Sequence, residues 1–330
     1  MAATRSRTVR FHEYGEPSDV LRQEWCEVPD PGEGQVRIRV AAVGLNPADW
    51  EVCRGFQAGQ LPRGIGFDVA GTVDSVGDAV EGVAVGDRVL GTADVTGQAS
   101  GGLADIAILR EWFPRPDGLD EAHAATLPMV VKTAVWTLDA MGVESGTTLL
   151  VHGAGGMVGF AAVQVALRRG ARVIATAGPS LAGQLEEFGA QVTPYGEGMP
   201  ARVRALAGGD VDLVLDTPRP SPGTMTGLIA LAGGVPSRVV TISNHDEARE
   251  LGARVNLDLL LASGAFPDSG VVGDYAELAA KGEFRLPIAA TFPLGGWREA
   301  VATSVAGAPH GKLVLLPQED APAVREETGR

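Results

Sequence analysis

Positive charge is scarce in this chain: 27 Lys and Arg residues stand against 41 Asp and Glu, and the formal net charge is −14. Only three of the cations are lysines, Lys132, Lys281 and Lys312. Binding a phosphate backbone needs a surplus of Lys and Arg gathered on one face, so neither nucleic acid nor anionic membrane is an expected partner. Cysteine is scarcer still. Cys26 and Cys53 are the only two, too few for a disulfide framework or a four-sulfur zinc site, which points to a reducing compartment. No run of about 18 apolar residues is present to span a bilayer. The basic start MAATRSRTVRF is not followed by the apolar stretch of a secretory signal. The expectation is a soluble, cytoplasmic protein.

Glycine, with 45 residues, and proline, with 21, are plentiful, as in a globular chain with many tight turns. A length of 330 residues makes two domains the default. Up to about residue 125 the pattern is one of strands. In QVRIRVAAVGLN, Val36, Ile38 and Val40 alternate with Arg37 and Arg39, the period of two of a half-buried strand with both arginines on the solvent side. From 126 to about 260 apolar runs alternate with helical patterns: TLLVHG, MVGFAAVQVALRR, ARVIATA, LAGQLEEFGA, DLVLDT, RVVTIS. That rhythm predicts a doubly wound parallel sheet. Residues 261–330 are mixed, with HGKLVLLP before a polar tail, QEDAPAVREETGR, expected to fray.

The segment LLVHGAGGMVGFAAVQVALRRGARVIATAG carries the chemistry. A dinucleotide's pyrophosphate approaches a strand-to-helix turn only where side chains are absent, and is held there by free N–H groups at the helix start. Ala154-x-Gly156-x-x-Gly159, with Gly153 and Gly155 interleaved, has a strand before it and a helix after it. The alternative is an ordinary α/β turn that needs only a flexible backbone. The binding reading assigns Gly153, Gly155, Gly156, Met157, Val158 and Gly159 to the phosphates. Some 20 residues past the first glycine an acid usually holds the ribose diol of NAD. Here RVIATAGPS offers Thr176, Gly178 and Ser180, with no carboxylate before Glu186 and no Lys or Arg between Arg172 and Arg202. NADPH is therefore expected over NADH, on hydroxyls and space, with NADH still possible.

VGLNPADW, GFDVAGTVDSVG, GDRVLG, GGLAD, AATLP, KTAVWTL, VHGAGGMVGFAAVQVA, FPL and GKLVL occur in this order. In these segments the chain resembles the zinc-independent medium-chain dehydrogenase/reductases, in the quinone oxidoreductase (zeta-crystallin-like) branch. The resemblance implies an α/β protein with a GroES-like β-rich catalytic domain, 1–125, completed by 261–330. It also implies a Rossmann domain, 126–260, and a cleft between the two. Zinc-dependent members carry Cys where Asn46 stands and His-Glu where Phe67-Asp68 stand, so no metal is expected. The family turn has Gly in place of Met157. Tyr195 matches the family tyrosine near the adenosine ribose, and Ser243 and Lys312 complete the residues assigned to the cofactor. A homodimer through sheet edges is implied as well, with RVVTIS near that edge.

Without zinc the substrate must accept hydride through its own electronics, which suits a quinone or an activated C=C beside a carbonyl. Asn46, Trp50, Phe56, Phe67 and Thr133 are the candidate catalytic residues. Asn46 before Pro47 is also turn chemistry, and Trp50 suits a core as well as a pocket wall. Lys132, next to Thr133 on a helix, points away from it and reads as a solvated or interdomain lysine, and His152 reads as a packed strand residue. Enoyl-thioester reductases of this superfamily offer a tyrosine in the stretch matching CRGFQAG, where this chain has Phe56. Its only tyrosines are Tyr14, Tyr195 and Tyr275, so the proton is expected from water or after release of an enolate or hydroquinone. An enoyl-thioester or polyketide enoyl reductase and a non-catalytic NADPH-binding protein are the alternatives.

Overall fold

The structure is a computed structural model and describes residues 4–263, 270–307 and 310–317; the polar tail expected to fray lies outside the described residues. The chain divides into two units. One holds residues up to Met129, Val272–Glu283 and the residues from Pro287 on; the other holds Val130–Val271 and Phe284–Leu286.

The first unit is built on β1 (Thr4–Phe11), β2 (Arg22–Val28), β3 (Val36–Gly44), β4 (Arg63–Gly64), β5 (Asp68–Val76), β6 (Arg88–Ala93) and β7 (Ile106–Pro114). β1 lies between β2 and β4. β3 pairs antiparallel with both β5 and β7, and β5, β6 and β7 pair in turn, so these four strands close on themselves. Closure leaves no free edge among them. Alternation along β3 sends Val36, Ile38 and Val40 inward, all fully buried, each such side chain contributing about 1.5–3 kcal/mol.

Arg39 is exposed as expected, but Arg37 is not. Its Nε donates to Asp74 at 2.9 Å, and its NH1 to Asp30 at 3.1 Å and to the Pro29 carbonyl. A guanidinium tolerates burial when its charge and its donors are matched in this way, which a period of two does not reveal.

The second unit contributes β8 (Thr148–His152), β9 (Arg172–Thr176), β10 (Gln191–Thr193), β11 (Leu213–Asp216), β12 (Val239–Thr241) and β13 (Arg254–Val255). All pairings are parallel, in the order β10-β9-β8-β11-β12-β13. This is the doubly wound Rossmann order, with its switch point between β8 and β11. RVVTIS supplies β12, one strand in from the edge strand β13. Phe284–Leu286 belongs with this unit because the buried amide of Gln164 grips Arg285. Nε2 donates to the Arg285 carbonyl at 2.9 Å, and Oε1 accepts its N–H at 3.0 Å. The chain then completes the first unit with β14 (Ile288–Pro293) and β15 (Lys312–Leu316); β15 pairs with β3 and runs parallel to β14.

Candidate active site

In the second unit β8 ends at His152, and Gly153 turns the chain with φ +81° into the helix Met157–Arg168. The glycines of this turn fall into two classes. A Cβ on Gly153 would lie 2.6 Å from Pro218 Cδ, and one on Gly159 would lie 2.8 Å from both the Gly153 carbonyl and Thr217 Oγ1. These two let the helix pack on the sheet. A Cβ on Gly155 would meet nothing within 4 Å, and one on Gly156 only the Gly153 carbonyl at 3.5 Å. The fold does not need their bareness, but a ligand approaching the backbone would.

The first amide bonded within this helix is Phe160, to Gly156 O at 2.8 Å, so helix geometry leaves the N–H groups of Met157, Val158 and Gly159 facing out from its start. Together with the positive end of a 12-residue helix, this suits a pyrophosphate. The site fits a dinucleotide. The Met157 and Val158 side chains are half-buried.

Thr176 is turned inward. Fully buried, its Oγ1 accepts the Gly153 N–H at 2.9 Å and lies 2.8 Å from His152 Nδ1. Burial holds His152 down to about 4, so the imidazole beside the Thr176 hydroxyl is neutral. The hydroxyl that the sequence reading gives to the cofactor thus pins the glycine turn from beneath. Ser243 is engaged as well, its Oγ donating to the Pro218 carbonyl. Ser180 is exposed, and the 59 % exposed Tyr195 has its hydroxyl 3.2 Å from where a side chain on Gly178 would begin.

His152 and Thr176 belong to a row. In register across β10, β9, β8, β11 and β12 stand Thr193, Thr176, His152, Asp216 and Thr241, all buried. Thr241 Oγ1 donates to Asp216 Oδ2 at 2.8 Å. Burial, opposed by that bond and assisted by the charge of Glu247, pushes Asp216 up to about 6. The sequence carried the signal, since QVT, RVIAT, TLLVH, LVLD and VVT are apolar runs that each end on a polar residue.

The first unit holds a second polar cluster. Asn46 caps the helix Pro47–Cys53 and is 4 % exposed. Its Nδ2 donates to Asp68 Oδ2 at 2.9 Å and to the Gly44 carbonyl at 3.2 Å, and its Oδ1 accepts from Lys312 Nζ at 2.7 Å. Lys312 Nζ also lies 3.4 Å from Asp68 Oδ2. Asp49 accepts the N–H groups of Asn46, Gly66 and Phe67 at 2.7, 3.1 and 3.1 Å. Burial, with Asp68 nearby, pushes Asp49 up to about 7 against those donors and Lys312, and burial lowers Lys312 against the attraction of Asp68 and Asp49. The ammonium that the sequence reading assigns to the cofactor is committed to this cluster. Asp49 and the Lys312 partnership went unread.

Of the other catalytic candidates, Trp50 is 2 % exposed in the core, its Nε1 donating to Ser304 Oγ at 2.7 Å; its aromatic bulk is used in packing. Phe67 is half-buried against the same core. Phe56 is 41 % exposed. Thr133 and Lys132 are both half-buried on the helix Pro128–Met141. A tyrosine does reach the loop after Phe56, from far away in the chain. Tyr14 Oη donates to the Gly59 carbonyl at 2.9 Å and accepts its N–H at 2.7 Å.

Residues 32–114 match the alcohol dehydrogenase GroES-like domain, and residues 188–315 the zinc-binding dehydrogenase family. The chain belongs to the medium-chain dehydrogenase/reductase superfamily. A quinone oxidoreductase from Rattus norvegicus is 37 % identical over 177 residues, 52 % of this chain and 53 % of the relative. Erythronolide synthase EryA2 from Saccharopolyspora erythraea is 37 % identical over 192 residues, 56 % of this chain and 5 % of that protein. The chain thus spans about half the length of the quinone oxidoreductase it matches and a small part of the synthase. Among solved structures, an alcohol dehydrogenase superfamily protein from Novosphingobium aromaticivorans superposes with a TM-score of 0.77 at 28 % identity, covering 94 % of this chain and 99 % of that one. The first unit is accordingly GroES-like.

A zinc ion does not fit the first-unit cluster of this chain. Asn46 and Phe67 offer no anionic or imidazole ligand, Asp49 is saturated by backbone donors, and an ammonium stands against Asp68. Zinc asks for three or four converging N, S or O ligands. Among the described residues no three His, Cys, Asp or Glu side chains converge in that way.

Proposed function

We propose that this chain is a zinc-independent reductase that uses NADPH, in preference to NADH, to deliver hydride to a quinone or an α,β-unsaturated carbonyl. The observation that carries the reading is an open glycine turn in the second unit, together with a first-unit cluster in which Asn46, bonded to Asp68 and Lys312, offers no zinc ligand. A bound nicotinamide supplies the hydride. Met157, Val158 and Gly159 would hold the pyrophosphate through their N–H groups, and Gly178 and Tyr195 would border the adenosine ribose. Lacking a metal to polarise an alcohol, the protein is restricted to substrates that move the incoming electron pair onto their own oxygen.

In an enone the hydride adds to the β-carbon, the electron pair moves to the carbonyl oxygen as an enolate, and water protonates the α-carbon. A quinone takes hydride and one proton to give the hydroquinone. Tyr14, whose hydroxyl is committed to Gly59, is not used as the donor. Quinones, whose oxygens protonate unaided in water, are then favoured over acyl thioesters. The matches to erythronolide synthase EryA2 and to the spectinabilin polyketide synthase system protein NorB favour enoyl-thioester reduction as the second reading. A homodimer belongs to the proposal. Behind the edge strand β13, the helix Asn256–Ser263 carries Leu257, Leu259, Leu260 and Leu261 with none of them buried, Leu261 being 71 % exposed.

The test is NADPH oxidation by the purified protein with 1,4-benzoquinone and with crotonyl-CoA, before and after chelation, alongside zinc content. Quinone-dependent oxidation that survives chelation is expected. Zinc at one equivalent per chain, or fast crotonyl-CoA turnover without quinone reduction, would overturn the quinone reading.

A further inference from the structure

The sequence has no Lys or Arg between Arg172 and Arg202, which leaves a 2′-phosphate without an obvious cation. The fold supplies one from the next helix. Arg202, on the helix Met199–Ala207, folds back over the loop that follows β10. Its Nε donates to Thr193 Oγ1 at 2.9 Å, its NH1 to the Glu197 carbonyl at 2.8 Å and its NH2 to the Pro194 carbonyl at 2.7 Å. These three acceptors bracket Tyr195, whose hydroxyl borders Gly178. Thr193 stands in register with Thr176, and the Ala177 N–H donates to the Thr193 carbonyl at 3.2 Å. The guanidinium is therefore one strand from the turn where a Rossmann fold holds the ribose diol.

The charge on Arg202 is unspent. Its three acceptors are a hydroxyl and two carbonyls, all neutral, and among the described residues no carboxylate pairs with it. Other arginines of this unit are matched, Arg169 to Asp139, Arg204 to Asp210, Arg249 to Asp258 and Arg285 to Glu187. A guanidinium has five N–H donors in a rigid fork; three are used and two remain, enough for a bidentate grip on a phosphate. Arg202 is also half-buried, which limits solvent screening of its field.

We propose that Arg202 is the specificity-determining cation for the 2′-phosphate of NADPH, set under Tyr195 by its bonds to the loop. The inference rests on the NADPH reading above and names the residue responsible for it. It accounts for a preference that hydroxyls and space alone would leave small.

The experiment measures dissociation constants for NADPH and NADH by fluorescence, and for adenosine 2′,5′-bisphosphate against 5′-AMP by competition, in the unmodified protein and in Arg202→Gln and Arg202→Lys. The expected result is tighter NADPH binding in the unmodified protein, weakened at least tenfold by Arg202→Gln and much less by Arg202→Lys. NADH and 5′-AMP should change less than twofold in both variants. Raising the salt concentration should erode NADPH binding only where residue 202 is charged. Retention of the NADPH preference in Arg202→Gln would overturn the inference and leave the cofactor reading standing. Equal weakening of all four ligands would reduce Arg202 to a clamp on the loop and also overturn it. An unmodified protein that prefers NADH would overturn the cofactor reading itself, and the inference with it.

Discussion

Lys312 and Asp68 are a charge pair taken almost wholly out of water, with side chains 3 % and 0 % exposed. Such a pair gains little over an apolar replacement, but removing one partner leaves a buried charge uncompensated, at a cost of about 3–5 kcal/mol. Lys312→Met should therefore lose several kcal/mol in urea denaturation, and Lys312→Met with Asp68→Asn should recover part of the loss. A single variant within about 1 kcal/mol of the parent protein would show that the ammonium is not what compensates Asp68. The pairing was illegible in the sequence for a plain reason. Asp68 and Lys312 are separated by 244 positions, and no local pattern joins them. The burial of Arg37 escapes the sequence for the same reason, since alternation reports which face a side chain is on and not whether partners wait there.

At the scale of the strand, the polar row places His152 and Asp216 side by side with opposite titration behaviour. His152, held down to about 4 from 6.5, contributes stability that is present above pH 6.5 and lost as pH falls towards 4. Asp216, pushed up from 3.8 to about 6, contributes stability that is present below about 3.8 and lost as pH rises to 6. Each is on the order of 3 kcal/mol, so in the parent protein the two largely offset each other. Single substitutions should uncover them. From pH 7 to 4 the stability of His152→Gln relative to the parent should rise, and that of Asp216→Asn should fall. Curves that stay parallel to the parent's would remove the titration argument.

The helix that starts at Gly156 gives a separate prediction. Gly156→Val, at φ −82° and with open space around its Cβ, should fold with about 1 kcal/mol lost at the cap while dinucleotide binding disappears. Gly159→Ala, with atoms 2.8 Å away, should instead lose stability. Calorimetry on both, with thermal unfolding, separates the roles; retained binding in Gly156→Val would argue against the phosphate assignment. The turn was legible in the sequence because glycines cluster there, one at a left-handed position, Gly153, and others bare toward a ligand. That the same motif splits into packing and approach positions was not legible, because Pro218 and Thr217, which impose the packing, come from the far side of the switch point.

For the whole molecule, the apolar helix Asn256–Ser263 predicts self-association. Light scattering at micromolar concentration should give twice the chain mass, and Leu261→Glu, which puts a charge on a 71 % exposed position, should shift the protein towards monomer. A monomeric parent protein would contradict the dimer. The order of the parallel sheet could be anticipated from the alternation of strands and helices, because each right-handed crossover leaves few topologies open. The small strip around Arg285 could not, since it is claimed by one amide, Gln164, buried in an apolar helix.

That strip has a consequence for how the protein can be taken apart. The chain passes between the units at Met129–Val130, Val271–Val272, Glu283–Phe284 and Leu286–Pro287, so neither unit is an unbroken stretch of polypeptide. Expressing 130–271 alone would strand the Gln164 amide inside its helix without the backbone it grips. A protease cutting once between the units would release neither. The second unit is a guest sewn into its host at two places, and separating them takes scissors at every seam.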